Sequence, residues 1–146
     1  MKIVRMQATH LDKVTLLSDQ LGYPVSINEI TKRFYDISKS STHSLFVAID
    51  KDEKVCGWIQ VNIEPDSLVA GDRAEISALI VDVKQRGKNI GGHLVKEAES
   101  WAKSRNINFM RIRSNVTREG THRFYQREGY TLTKSWHLFT KELKGT

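Results

Sequence analysis

Apolar positions recur along the chain with two periods, and the places where the period changes mark out the elements. Ile3, Val4 and Met6 predict a short opening strand. Leu11, Val14, Leu17, Ser18 and Leu21 then follow at the spacing of one helical face. Thr9-His10-Leu11-Asp12 reads as the capping-box start of that helix, and Gly22 as its terminator. A second helix begins at Ser26, with Glu29 three residues on as a capping box, and carries Ile30, Phe34 and Ile37 on one face. From Ser44 the period becomes that of strands: 45–49 and 55–63 flank Asp50-Lys51-Asp52-Glu53-Lys54 and predict a hairpin.

Pro65 and Gly71 bracket a loop before a strand over 74–83, whose Leu79-Ile80-Val81 is continuously apolar, as in a buried central strand. The clearest helix spans 91–105, with Leu94, Val95, Ala98, Trp101 and Ala102 on one stripe. A strand over 109–113, a helix over 119–126 ending near Gly129, and a closing strand pair over 130–135 and 137–143 complete the chain. The order β-αα-βββ-α-β-α-ββ implies a mixed α/β (α+β) fold. Its central sheet is mixed and mostly antiparallel, flanked by helices, with a parallel pair across the β-turn-α-β portion, and one domain spans 1–146.

Composition narrows the function classes. No apolar run is long enough to cross a bilayer, and the apolar part of the N-terminus is too short for a signal peptide, so a cytoplasmic protein without a membrane partner is expected. Cys56 is the sole cysteine and the five histidines lack paired spacing, so no metal site is expected. Cys56 itself suits a small buried hydrophobe better than a nucleophile. The net charge of +6 suits nucleic acid or a polyanionic small cofactor equally. The basic residues are spread along the chain, with no helix-turn-helix or base-stacking motif, so no nucleic-acid partner is expected.

The chemistry concentrates in Gln85-Arg86-Gly87-Lys88-Asn89-Ile90-Gly91-Gly92, between the apolar strand end and the clearest helix. A strand, a glycine-rich basic turn and a helix N-terminus make an anion cradle: small residues let the backbone approach, and free helical N–H groups point at phosphate oxygens. The dinucleotide pattern G-x-G-x-x-G is absent. A Walker A pattern fails because His93-Leu94 stand where Lys and Ser/Thr belong.

Arg86-Gly87-Lys88-Asn89-Ile90-Gly91 resembles the coenzyme A pyrophosphate loop of the GNAT superfamily of N-acetyltransferases, Gln/Arg-x-x-Gly-x-Gly/Ala. Arg86 and Gly91 match, and Asn89 replaces the first glycine, a substitution that asparagine's tolerance of positive φ accommodates. Thr121-His122-Arg123-Phe124-Tyr125 through Gly129-Tyr130 resembles the family's later Ala-His-x-Phe-Tyr-x-x-x-Gly-Phe motif, with Thr121 for alanine and Tyr130 for phenylalanine. Gln20-Leu21-Gly22-Tyr23-Pro24 is also similar to many members, so the resemblance covers essentially the whole chain.

The resemblance implies an acetyl-CoA-dependent N-acetyltransferase, moving acetyl to a primary amine of a small molecule or protein by direct attack in a ternary complex. It implies that the pantetheine arm pairs with the backbone at Leu79, Ile80 and Val81, with an N–H near Leu79 as oxyanion donor. Arg86, Gly87, Lys88, Asn89, Ile90, Gly91 and Gly92 would hold the pyrophosphate. Tyr125 is the candidate general acid for the departing thiolate, against a plain aromatic pair with Phe124.

Glu75 is the candidate base, against a salt-bridged strand carboxylate. On an ideal strand it shares a face with Ser77 and Leu79. Asp82 suits turn stabilisation better. Asn115 and Arg118 precede the Tyr125 helix, and Asn115 is carried as a further cofactor contact or as that helix's start. A homodimer through the C-terminal strands is compatible with the resemblance. The competing reading is a non-catalytic acyl-CoA-binding or partner-binding module on the same fold.

Overall fold

Each helix forms where its stripe and its cap agree. The computed structural model describes residues 1–20, 22, 25–65, 72–85, 87–112, 119–135 and 137–144, apart from the side chains of Pro65 and Glu119. Within Met1–Arg113, β1 (Lys2–Arg5) leads through a 3-10 turn at Ala8–His10 into α1 (Leu11–Gln20). Thr9 and Asp12 do not form the expected box. The turn instead starts at Gln7, whose backbone N–H donates to His10 Nδ1 at 2.9 Å. The stripe behaves as its spacing requires, with Leu11, Val14, Leu17 and Ser18 buried. Gly22 closes this segment at φ +82, where a side chain would be strained.

Ser26 caps α2 (Ile27–Ser38), its Oγ accepting the Glu29 N–H at 3.1 Å. Ile30 is buried, and Phe34 and Ile37 pack against the core. Strands β2 (His43–Ile49), β3 (Val55–Pro65) and β4 (Asp72–Val81) form an antiparallel meander. The Asp50–Lys54 turn is held by Asp50 Oδ1, which accepts the Asp52 and Lys54 N–H groups at 2.8 and 3.0 Å. These bonds lower the Asp50 pKa below the ordinary carboxylate value. A depressed pKa means that this contribution to stability is present at neutral pH and is lost as pH falls through the folded-state value.

After a 3-10 turn at Val83–Gln85, α3 (Ile90–Lys103) crosses to β5 (Met110–Ile112), which pairs parallel with β4. The sheet order is β1-β2-β3-β4-β5. One sheet face carries Val47, Trp58 and Ile80 against Leu11, Val14, Leu17 and Ile30 of the first two helices. There the buried Trp58 indole N–H donates to Ser18 Oγ at 3.3 Å, and Ser18 donates to the Val14 carbonyl at 2.9 Å, so no polar atom of the pair is stranded. The other face packs on Leu94, Val95, Ala98 and Trp101 of α3, all buried.

Gly57 sets the distance between that face and α3. A Cβ there meets the Ile80 carbonyl oxygen at 3.0 Å, Leu94 Cδ1 at 3.2 Å and Ile90 Cγ2 at 3.3 Å. The backbone oxygen cannot yield as a side chain would. Gly57→Ala is expected to lower the free energy of unfolding by about 1–3 kcal/mol in urea titration, as overpacked cores do. Cys56 is buried, and that burial, with Asp50 and Asp82 adding to it, raises its thiol pKa above the ordinary value.

The second unit, Ser114–Thr146, contains α4 (Glu119–Arg127), followed by Gly129 at φ +93. The expected strand pair over 130–135 and 137–143 is not formed: no strand is present among the described residues there. Leu132, Leu138, Phe139 and Leu143 all stand largely exposed. Alternating apolar residues permit a strand, but a strand exists only where a neighbour completes its hydrogen bonds.

Candidate active site

The decisive local feature of the sheet is one extra residue in β4. The register pairs Gln60 with Ala78 and Val61 with Ile76, so Ser77 has no partner on β3. Such a bulge bends its strand and shifts the alternation of side chains by one. Ile80 and Ala78 lie on the α1/α2 face. Beyond the bulge, Glu75 lies on that same face, because it pairs with Asn62, which alternates with Gln60 and Trp58. Glu75 therefore does not share a face with Leu79, which pairs with Ile59 on the α3 side. The ideal-strand expectation is corrected by the added residue.

A polar strip results. Gln60 Nε2 donates to Asn62 Oδ1 at 3.1 Å, Asn62 is buried, and Glu75 beside it pairs with Arg111 of β5, Nη2 to Oε2, at 3.6 Å. Glu75 is 13% exposed and Arg111 32%. Arg111 Nε is buried without a hydrogen-bond partner among the described residues, an orphaned donor beside a carboxylate. Gln60, Asn62 and Arg111 were not among the candidates. Two amides at alternate positions of an otherwise apolar strand were the available signal.

Among the described residues, strand β5 pairs with β4 at Ala74–Ile76, up to the bulge. From Ser77 to Val81, β4 has β3 on one side and no fifth strand on the other among the described residues. Among the described residues, Leu79, Ile80 and Val81 thus have no neighbour on the β5 side, and the strand leads toward the glycine-rich turn.

In that turn Asp82 Oδ1 accepts the Lys84 N–H at 3.0 Å, the turn-stabilising role expected of it. Gly87 sits at φ +88 and Asn89 at φ 57, ψ 31, the left-handed conformation that the glycine-to-asparagine replacement anticipated. Asn89 is the N-cap of α3, and its side chain makes no capping hydrogen bond, so it does not occupy the amides of the first turn. That turn, Ile90-Gly91-Gly92, holds no acidic side chain. Lys88 lies beside it, Nζ donating to Gln85 Oε1 at 2.8 Å. Open N–H groups, small residues and a cation fit the pyrophosphate of a nucleotide-linked cofactor. Arg86, Asn115 and Arg118 lie outside the described residues, as do Leu21, Tyr23, Pro24 and Gly71.

In the second unit Tyr125 is partly buried on α4. Its ring meets Phe124 edge-on at 5.1 Å and Tyr130 at 6.1 Å, and its carbonyl accepts the Tyr130 N–H at 3.0 Å. Among the described residues no group of histidine, cysteine or carboxylate side chains is arranged to hold a metal. No helix among them is long and apolar enough to cross a membrane.

A five-stranded, mostly antiparallel sheet flanked by helices, with a glycine-rich turn between β4 and the start of α3, is the architecture of an acyltransferase-type fold. Residues 14–130 match the family described as Acetyltransferase (GNAT) family, and the chain belongs to it. Members of this family are N-acetyltransferases that use acetyl-CoA. An aminoalkylphosphonate N-acetyltransferase of Salmonella typhimurium is 33% identical over 93 residues, 64% of this chain and 59% of that protein. The match thus spans about three fifths of that relative's length. An aminoglycoside N-acetyltransferase solved with CoA superposes at a TM-score of 0.88 with 16% identity, over 97% of this chain and 95% of that one. Glucosamine-6-phosphate N-acetyltransferase from Arabidopsis thaliana does so at 0.76 with 25% identity, over 96% and 97%.

Proposed function

We infer that this protein is a cytoplasmic N-acetyltransferase that acetylates a primary amine, on a small molecule or a protein, by direct attack in a ternary complex. The observation that carries this reading is the stretch of β4 from Leu79 to Val81, unpaired on its β5 side among the described residues and leading to a helix N-terminus whose left-handed Asn89 makes no capping hydrogen bond. The family match crosses from the first unit into the second, which supports reading 1–146 as one catalytic domain. Relatives named for aminoalkylphosphonate and aminoglycoside acetylation both point to an amine acceptor.

Acetyl-CoA supplies the acetyl group as a thioester. The backbone of Leu79, Ile80 and Val81 aligns the pantetheine arm as an added strand would, and an N–H near Leu79 donates to the developing oxyanion. Arg86 through Gly92 hold the pyrophosphate, and Asn115 adds a contact. Glu75 takes a proton from the attacking amine, with Arg111 fixing its carboxylate. As the carbon–sulfur bond breaks, Tyr125 gives its phenolic proton to sulfur.

Calorimetric titration with acetyl-CoA, with ATP and NAD as controls, tests the cofactor site. Micromolar binding of acetyl-CoA alone is expected. Asn89→Gly should retain it, whereas Asn89→Val, a β-branched residue forced to φ 57, should weaken it about tenfold. Equal binding by both variants would remove the turn from the cofactor site. Binding without thiol release on a broad amine panel would instead identify a non-catalytic acyl-CoA module.

A further inference from the structure

At the opposite edge of the sheet, β1 has β2 on one side only among the described residues. The Met6 N–H donates to the Leu45 carbonyl at 3.0 Å, and the register pairs Val4 with Val47 and Lys2 with Ile49. Antiparallel ladders alternate bonded and non-bonded pairs. Lys2, Val4 and Met6 therefore bond to β2, and Ile3 and Arg5 direct their N–H and C=O groups out along the open edge.

The same two residues place their side chains on the α3 face, where they line a groove of about 510 Å³ with Phe46, Trp101 and Arg105. Both arginines lie over aromatic faces: Arg5 Cζ is 5.9 Å from the Phe46 ring centroid and Arg105 Cζ 4.4 Å from that of Trp101. Neither has an ion pair among the described residues. Trp101 is 5% exposed, and its indole N–H is buried without a partner among the described residues. A neighbouring hollow shares Ile3, Glu97 and Ser100 and adds Lys2, His93 and Lys96. Among the described residues Glu97 is the one carboxylate lining either hollow, against Lys2, Arg5, Lys96 and Arg105.

We propose that this edge and groove dock an extended acidic peptide segment as a sixth strand on β1, with acidic side chains at alternate positions facing Arg5 and Arg105. The outward N–H and C=O of Ile3 and Arg5 supply main-chain pairing, and the alternation of a strand brings every second side chain of the partner over the α3 face. The rings hold each guanidinium in place; Arg105 Nη1 donates to Ser104 Oγ at 3.2 Å, and its other N–H groups, with those of Arg5, suit a carboxylate. A second copy of this chain is disfavoured, because its own β1 would bring Lys2 and Arg5, and no carboxylate, to an edge that is already basic. The alternating donors and acceptors of a strand edge suit a peptide backbone and not a phosphodiester chain.

The test uses the full chain with two fluorescein-labelled peptides, one alternating glutamate with valine and one alternating lysine with valine. Anisotropy should show binding of the glutamate peptide at least about tenfold tighter, and Arg5→Glu with Arg105→Glu should abolish that preference. Thiol release from acetyl-CoA in the charge-reversed protein should match the parent. Arg5→Gln with Arg105→Gln, which removes charge without reversing it, should weaken binding less, and serves if the reversal unfolds the chain. Amide exchange gives the geometric readout: the glutamate peptide should slow exchange at Ile3 and Arg5 and leave Lys2 and Val4 unchanged. Equal affinity for the lysine peptide, no protection at Ile3 and Arg5, or a peptide-free dimer protecting those amides in sedimentation and exchange would each overturn the proposal.

Discussion

Glu75→Gln is expected to lower kcat for amine acetylation by about a hundredfold, the usual contribution of a positioned general base. The carboxylate lies beside buried Asn62 and is held by Arg111 at 3.6 Å, on the α1/α2 face of the sheet. Glutamine keeps the shape and much of the hydrogen bonding but cannot take a proton. The deficit should narrow as pH rises, because an acceptor that is already deprotonated at its nitrogen needs no base. Affinity for acetyl-CoA should not change, since Glu75 lies on the opposite face of β4 from Leu79. A full rate in Glu75→Gln, measured by thiol release, would make this carboxylate a structural partner of Arg111 and nothing more.

Tyr125→Phe should cost a similar factor, about a hundredfold in kcat, through loss of the proton handed to the departing thiolate. A phenol with an ordinary pKa near 10 stays protonated at neutral pH and still matches a thiol closely enough to transfer its proton. The substitution keeps the ring, so the edge-on contacts with Phe124 and Tyr130 survive. The free energy of unfolding should accordingly move by about 1 kcal/mol or less. Single-turnover measurement separates the two substitutions: Glu75→Gln slows attack, and Tyr125→Phe slows departure of the thiol. An unchanged rate across pH in Tyr125→Phe would remove the phenol from the mechanism.

Particular residues show how far the sequence was legible. The stripe Leu94, Val95, Ala98, Trp101 and Ala102 is buried as its spacing demanded, and Ser26 with Glu29 opens α2 as written. These are local rules, in which a side chain acts on its own turn or on the face directly beneath it. Asn89 was readable for the same reason, since its left-handed conformation is a property of the residue and the turn. Thr9 and Asp12 misled because Gln7 and His10 offered the chain an equivalent start one turn earlier.

The bulge at Ser77 was not legible. Nothing in Glu75-Ile76-Ser77-Ala78 distinguishes a regular strand from one with an extra residue, because the count is set by β3 across the ladder. That count moves Glu75 to the face of Trp58 and Ile80 and brings Arg111 within reach. The strand pair expected over 130–135 and 137–143 is absent among the described residues on the same ground, since alternation states which residues suit a strand and not whether a neighbouring edge receives it.

The sequence by itself therefore determined the helices, the glycine-rich anion turn and the family, because these rest on periodicity, capping and short motifs whose physics is contained within a few residues. Only the tertiary structure decided which face Glu75 occupies, which residue of β5 stands beside it, and, among the described residues, that β1 forms an edge of the sheet. Those depend on register between strands far apart in the chain, where a shift of a single residue reverses every side chain and no local signal records it.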